Sequence, residues 1–431
     1  MDRVKRLQRM SGFLQARLPE LGLEAVEDPR KRQGLRWVLA PMLRVVLLGL
    51  MAGKKSLAEL ESSAAWLSPT MRKAMGLPKR VADTTLRDLL CKLPWKLVRT
   101  PLHQAVQAAR RRKALPIQTL PFHMLSLDGK VTALPTWDGA YAQRHQPDPD
   151  SPPHGLIRTV TATLVTAPGK PCIDVTPIRA STNEMGHFPK AFGEAVRIYG
   201  NLFDLVSYDA GAGSEKNGRI VRKAGKHYLF RLNDERWELY QLASQLLSNK
   251  ETVAEEISVL SNRKQVRRRL RLFSVNRETL PTLARKASVW SHARLLLEVE
   301  ASTIEDEVCV STERKLYISS LTAETLTPAQ WLFATVAHWG VETTHKVLDC
   351  TFEEDDRPWI AADPNGMLVV LILRRIAYTL VTLFRSVTQR SEENRLRPWA
   401  EMLEWVDKAL SATTETMLVG LRLRKVVAAT G

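Results

Sequence analysis

The chain has 431 residues, of which 44% are hydrophobic and 25% charged. That composition can bury a sizeable core, and it excludes disorder, collagen-like repeats and coiled coil for the bulk of the chain. The net charge of +17 is unevenly spread: Met1 to Leu120 holds 24 Lys/Arg against 9 Asp/Glu, whereas Pro121 to Gly431 holds 39 against 37. Attraction to a polyanion is therefore concentrated in one segment, and nucleic acid is the first partner to consider. The opening MDRVKRLQRM has charges but no apolar stretch after it, unlike a signal peptide. The apolar run Val38 to Ala52 is too short, and too interrupted by Pro41 and Arg44, to span a bilayer, so no membrane partner is expected. Cys91, Cys172, Cys309 and Cys350 lie far apart without CxxC spacing, which suits a reduced cytoplasmic protein, nucleoid-associated if it binds DNA, and no thiolate metal site.

Residues 1–120 read as an all-helical, DNA-binding domain. Apolar positions recur at helical spacing in WVLAPMLRVVLLGLMAG, LAELESSAAWL and TLRDLLCKLPWKLVRTPLHQAV. Ser56 and Asp83 or Thr84 are candidate N-caps, and Pro69, Pro78 and Pro94 mark breaks. Two short helices, 56–66 and 84–92, sit among Lys54, Lys55, Arg72, Lys73, Lys79, Arg80 and Arg87, as in a helix-turn-helix-like DNA reader. A helical bundle with a solvated basic face is the ordinary alternative.

From residue 121 the period changes. FHMLSLDG reads as a strand ending at Asp128, followed by a Pro- and Gly-rich loop. LIRTVTATLVT and PCIDVTPIRA are two strands joined by the turn Ala167-Pro168-Gly169-Lys170. A helix over 184–199, the strand LFDLVSYDAG ending at Asp209, a helix over 214–225 and the strand HYLFRLN complete a β-β-β-α-β-α-β order for residues 121–234. Residues 235–305 read as a mixed, β-rich insertion. Helical patterns in ERWELYQLASQLL and ETVAEEISVL precede strand-like alternation in RKQVRRRLRLFSV and VWSHARLLLEVE. The basic run there, with Arg267, Arg268 and Arg269, is either a solvated edge strand or a DNA backbone contact. Residues 306–390 hold the strand KLYISSL, one helix from Pro328 through WLFATVAHWGVETTHKVLD, and a long buried helix from Asn365 to Arg385. A further helix at 398–410 and a tail fill 391–431.

Three acids have a placement that packing does not explain. Asp128 and Asp209 end apolar strands, and Glu342 lies on a helix whose other inward candidates are apolar. Carboxylates at the ends of neighbouring central strands face one crevice. Three together repel unless a cation joins them, and oxygen-only donors suit Mg²⁺ or Mn²⁺. In a basic, DNA-binding chain a carboxylate-held pair of ions implies phosphoryl transfer. Each acid alone has a bland reading, since Asp-Gly is usually a turn and a helical Glu is usually on the surface.

The stretches LSLDGK, Ser181-Thr182-Asn183-Glu184, SYDAG, YISSL and HWGVETTHKVLDCTFEEDD resemble the DDE insertion-sequence transposases. The subgroup is the one with DGK, SNE and HWG(V/I)E…LDxTFxED motifs, and DPRKRQGLRWVLAPMLRVVLLGLMAGKKSLAELESSA resembles its associated helical domain. The resemblance runs from about residue 25 to 390 and is most specific at HWGVE with LDCTFEED. It implies an α/β, RNase H-like catalytic core with a β-rich insertion, preceded by the helical domain, with Asp128, Asp209 and Glu342 as catalytic and metal-binding residues. It further implies two Mg²⁺ or Mn²⁺ ions, double-stranded DNA as partner (terminal inverted repeats and target), and a homodimer or higher oligomer on that DNA. The chain departs from the pattern at Val336-Ala337, where many members carry an Arg, and at Thr343, where Asn is usual. It also carries Asp349 where related families have a Lys or Arg. The competing readings are a domesticated RNase H-fold nuclease and an inactive end-binding protein.

Among lesser candidates, His338, Glu342 and His345 share a helix face but lack an HExxH metal pattern. His338 is assigned to DNA contact or to support of Glu342. Asn183 suits a helix cap. Lys130 is assigned to a phosphate contact, with a solvated turn as the alternative. Trp137 and Trp339 could stack on an unpaired base. The acid run Glu353 to Asp356 is an auxiliary metal contact or, more simply, a solvated loop.

Overall fold

A computed structural model describes residues 3–31, 36–65, 67–209, 213–232, 238–261, 264–276, 278–279, 290–389 and 391–418. The first 120 residues form helices α1 (Arg3–Arg17), α2 (Leu39–Met51), α3 (Leu57–Ala64), α4 (Pro69–Met75), α5 (Asp83–Lys92) and α6 (Trp95–Arg111). Ser56 caps α3 as its spacing predicts, its Oγ accepting from Glu59 N at 3.0 Å. The two helices expected to form a helix-turn-helix are separated by α4. Asp83 is the first residue of α5 rather than its cap, and its N–H donates to Glu61 at the middle of α3.

Strands β1 (Met124–Leu134), β2 (Ala142–His145), β3 (His154–Leu164) and β4 (Cys172–Pro177) precede α7 (Glu184–Tyr199), β5 (Leu205–Tyr208), α8 (Glu215–Lys223) and β6 (His227–Leu232). The helix bounds at α7 match the sequence reading, with Asn183 Oδ1 accepting from Gly186 N at 2.9 Å. Then come α9 (Glu238–Ser248), β7 (Ala254–Ser261), β8 (Lys264–Ser274), β9 (Leu295–Glu305) and β10 (Val308–Ser319). ETVAEEISVL is thus a strand where helical spacing suggested a helix. Antiparallel pairing with β8 from Ala254↔Leu270 to Ser261↔Lys264 sets Glu255 beside the arginines of β8.

The strands form one sheet in the order β2-β3-β1-β5-β6-β10-β9-β8-β7, with β4 on β3. The inner part, β4-β3-β1-β5-β6, pairs β1 parallel to β5 and β5 parallel to β6, while β3 is antiparallel to β1. The four long strands β7 to β10 extend that sheet as an antiparallel wing.

The remaining helices are α10 (Pro328–Ala337), α11 (Gly340–Cys350), α12 (Pro364–Leu383), α13 (Glu392–Arg395) and α14 (Trp399–Ala412). The single helix expected from Pro328 is broken at His338-Trp339. A Cβ on Gly340 would lie 2.8 Å from Lys170 Cδ and 3.1 Å from Val165 Cγ1, so the chain needs glycine to pass that close to the end of β3. Helix α12 is long and apolar enough to cross a membrane, yet all of its most apolar window is buried between α2, α5, α6 and β4. The helices of residues 1–120 share one continuous core with α12, α14 and the sheet. Across that core, Asp174 on β4 accepts from Arg99 Nη2 (2.6 Å) and Nε (3.1 Å) on α6, and His103 Nε2 lies 2.9 Å away.

Candidate active site

Strand β1 does not end at Asp128. It runs on to Leu134 because β3 pairs with it throughout, from Leu125↔Leu164 to Leu134↔Gly155. What ends is the parallel pairing with β5, whose last partners are Leu127↔Tyr208. Beyond that pair one flank of β1 opens, with Asp128 as the first residue past it on one strand and Asp209 as the first past it on the other. The sequence reading expected both aspartates at strand ends facing one crevice; here both directly follow the last β1–β5 pair. The glycine-rich turn at 210–212 lies outside the described residues. Glu342 enters from α11, in the first turn after the break at His338-Trp339.

Asp128 and Asp209 both act electrostatically on Glu342. Burial raises the pKa of Glu342 above the usual carboxylate value, and the negative fields of Asp128 and Asp209 raise it further. A fourth carboxylate belongs to the group. Glu184, at the start of α7, is raised by burial and then by Asp128 and Asp209. It rests on the opposite face of β1, against Gly129, where a Cβ would lie 2.0 Å from its Oε1. The carboxylates are balanced by nearby groups. His345 Nδ1 lies 3.3 Å from Asp128 Oδ2, and Arg231 Nη1 lies 3.6 Å from Asp209 Oδ1. Trp339, beside Glu342, carries Lys315 Nζ over its ring at 3.9 Å and Arg231 Cζ at 5.5 Å.

The donor set fits a divalent ion. It offers hard oxygens from separate elements, and Asp209 Oδ1 is buried without a hydrogen-bond donor. The oxygens of Asp128, Asp209 and Glu342 are not drawn into a closed cage. Among the described residues the tight acidic group, with oxygens within 4.8 Å of one another, is instead Asp349, Glu354 and Asp355. A cation of the protein already fills that group. Lys130 Nζ donates to Asp349 Oδ1 at 2.6 Å and to Asp355 Oδ2 at 2.8 Å, and lies 4.0 Å from Glu354.

This corrects the reading of Lys130 as a phosphate contact: its side chain is 7% exposed and wholly engaged by carboxylates. Burial opposes its charge, but Glu354, Asp349 and Asp355 outweigh that and hold its pKa above the ordinary lysine value. His338 is likewise no DNA contact. It is buried, with Ser126 Oγ and Ser207 Oγ each 2.9 Å from Nδ1, and burial lowers its pKa so that the ring is neutral. It supports β1 and β5 rather than Glu342, and it leaves no His338-Glu342-His345 metal face. The run 353–356 is not a free loop either, since Glu354 is buried against Arg375.

The N-terminal cations are partly engaged. Lys54 pairs with Asp407 at 2.9 Å, Lys55 with Glu353 at 2.5 Å, and Arg80 with Glu61. Arg72 Nη2 donates to the Leu67 carbonyl at 3.1 Å. Lys73, Lys79 and Arg87 are exposed. Arg267 and Arg269 share one face of β8 with Glu255 (3.7 and 2.8 Å), while Arg268 donates to Ser258 Oγ at 2.8 Å. These three lie three strands from β6, out on the wing and away from the acids.

The sequence reading did not single out Arg231 or Lys315, took Glu184 only as part of the Ser181–Glu184 element, and weighed His345 only for a metal face with His338 and Glu342. An arginine inside the apolar strand HYLFRL was the available signal for Arg231, whereas Lys315 follows Glu313 and Arg314 in β10 and carried no such signal. No family model and no curated protein matches the chain. Among solved structures, a cryo-EM structure of the piggyBac transposase synaptic complex with hairpin DNA is similar over 97% of this chain and 82% of that one, at 10% identity and a TM-score of 0.41. A likeness that weak settles nothing about this chain's fold or chemistry.

Proposed function

We propose that the chain is the DNA transposase of a bacterial insertion sequence, with an RNase H-like core spanning β1 to β6 and α10 to α12 and a β-rich insertion between Asp209 and Glu342. The observation that carries this reading is the convergence of Asp128, Asp209 and Glu342 from three elements on one open crevice, with Glu184 behind them. The inner strand order with one antiparallel neighbour, β4-β3-β1-β5-β6, supports the RNase H-like assignment. Asp128, Asp209 and Glu342 would hold Mg²⁺ or Mn²⁺, which when bound supplies an activated attacking oxygen and charge stabilisation at phosphorus. Arg231 and Lys315, at the rim beside Trp339, hold a phosphate of the bound strand, and His345 orients the Asp128 carboxylate. In the first step water attacks a phosphorus at the element's end, breaking the P–O3′ bond and freeing a 3′ hydroxyl. That hydroxyl then attacks a target phosphate, forming a new P–O bond while the target strand's own P–O3′ bond breaks and its 3′ oxygen leaves as a hydroxyl, so no covalent protein–DNA intermediate forms.

The basic helical segment reads the terminal repeats, and the exposed Lys73, Lys79 and Arg87 are its backbone contacts. Asp128→Asn tests the reading. It is expected to abolish metal-dependent cleavage of DNA carrying the element's ends while leaving end binding nearly unchanged. Cleavage that survives Asp128→Asn overturns the assignment.

A further inference from the structure

Alternate residues of β1, all on one face, are each gripped by the α11 region. Ser126 Oγ meets His338 Nδ1 at 2.9 Å and donates to the His338 carbonyl at 3.1 Å. Asp128 meets His345 at 3.3 Å. Lys130 meets Asp349 and Asp355 at 2.6 and 2.8 Å, and Thr132 Oγ1 donates to Asp355 Oδ1 at 3.1 Å. The spacing explains why the rungs match. Two residues of strand advance about 6.6 Å, and the four residues from His345 to Asp349 advance about 6 Å along a helix. The strand and the helix therefore stay in step between the Asp128 and Lys130 rungs, while His338 and Asp355 grip β1 from just before and just after α11. Glu342 lies on the stripe of α11 that carries His345 and Asp349, one turn before His345, so whatever fixes the register of that stripe fixes where Glu342 stands relative to Asp128.

We propose that Lys130 is a positioning residue. Its ammonium, tethered to β1 and seated among Asp349, Glu354 and Asp355, locks the register of α11 on β1 and thereby holds Glu342 at the crevice with Asp128 and Asp209. The site shows why a lysine does this. Three carboxylates would repel without a cation, and a covalently tethered one is present at unit occupancy whatever the metal concentration. Glu354 is in turn fixed by Arg375 of the core helix α12, so the lysine's seat is anchored from behind. On the opposite face of β1, Glu184 lies against Gly129 and Val131 beyond it is exposed, so at Lys130 the rungs on this face tie the strand to the helix. The proposal rests on the reading of the acids as a metal site.

The test is Mn²⁺ binding to the full chain without DNA, followed by electron paramagnetic resonance, alongside thermal melts and the salt dependence of DNA binding. Lys130→Met is expected to weaken Mn²⁺ binding about tenfold, as loss of a supporting group around a metal site does, with Lys130→Arg restoring most of it. The slope of DNA affinity against salt stays unchanged. In a Glu342→Gln background Lys130→Met adds nothing, because it acts through Glu342. If the unpaired acids left by Lys130→Met prevent folding, the triple change Lys130→Met, Asp349→Asn and Asp355→Asn leaves only Glu354, which Arg375 pairs, and should show the same loss. Mn²⁺ affinity within twofold of wild type in a folded variant overturns the proposal, as does an effect additive with Glu342→Gln. A salt slope reduced by about one would mean that Lys130 touches phosphate. If Glu342→Gln weakens Mn²⁺ and Lys130→Met does not, only the positioning role fails. If wild type binds no Mn²⁺, the metal site and the positioning role fall together.

Discussion

Gly340→Ala places a methyl group where α11 comes nearest to the end of β3. The added Cβ would stand 2.8 Å from Lys170 Cδ, 3.2 Å from its Cε and 3.1 Å from Val165 Cγ1. The Lys170 stem can swing only partly, because that residue is largely buried and burial lowers its pKa. Overpacking of this kind costs about 1–3 kcal/mol, and alanine returns up to about 1 kcal/mol of helix propensity. The net loss of stability is therefore at most about 3 kcal/mol, so the variant should fold. The cheapest relief is an outward shift of the first turn of α11, the turn that carries Glu342. A displacement of about 1 Å in a catalytic group costs on the order of 100-fold in rate. Urea denaturation paired with metal-dependent cleavage should therefore show a small fall in midpoint and a roughly 100-fold fall in rate. Gly193→Ala, which meets nothing within 4 Å, serves as the control with neither effect. Cleavage by Gly340→Ala within threefold of wild type would refute the claim that this contact sets the position of Glu342.

Other outcomes follow from the same structure. Glu184→Gln, and Gly129→Ala acting through the same carboxylate, should each weaken Mn²⁺ binding about tenfold without unfolding the chain; calorimetric titration of folded protein checks both. Arg99→Met leaves Asp174 buried with only His103 and its own backbone N–H contact from Val175, and should destabilise by about 3–5 kcal/mol in urea. His187 has its pKa lowered to about 4 by burial, below the ordinary 6.5. The unfolded chain therefore takes up the proton first on acidification, and the stability His187 contributes is full above pH 6.5 and lost as pH falls towards 4. His187→Gln should flatten stability against pH across that window by about 1–3 kcal/mol, and an unchanged slope would contradict the buried neutral imidazole.

Features that neighbours in sequence determine were legible, and features that distant partners determine were not. Helix α7 could be bounded because Asn183 caps it from one residue away. The β-β-β-α-β-α-β order followed from apolar runs separated by Gly and Pro, except that the short strand β2, which pairs with β3 inside the segment read as a loop, was missed. The continuation of β1 past Asp128-Gly129 could not be seen, because it depends on pairing with β3. Segment 254–261 has acids and apolar residues spaced to suit either period, and the arginines of β8 decide it. The break before Gly340 carries no proline; it comes from the approach to β3. Lys130 read as a turn or phosphate contact because its partners Asp349 and Asp355 are 219 and 225 residues away. His338 read as a DNA contact or a support for Glu342, although Ser126 and Ser207 hold it from 212 and 131 residues away. The three acids were singled out from their expected strand-end and helix placement together with the motif resemblance, although Asp128 lies within β1 rather than at its end.

The most direct test of the central claim uses linear DNA carrying the gene's own flanking sequences. It is incubated with purified protein in Mg²⁺ or Mn²⁺, and wild type is compared with Glu342→Gln. Cuts at defined positions in the flanks by wild type, with none by Glu342→Gln, are the expected result. Equal cutting by both proteins would place the catalytic acid elsewhere and contradict the account.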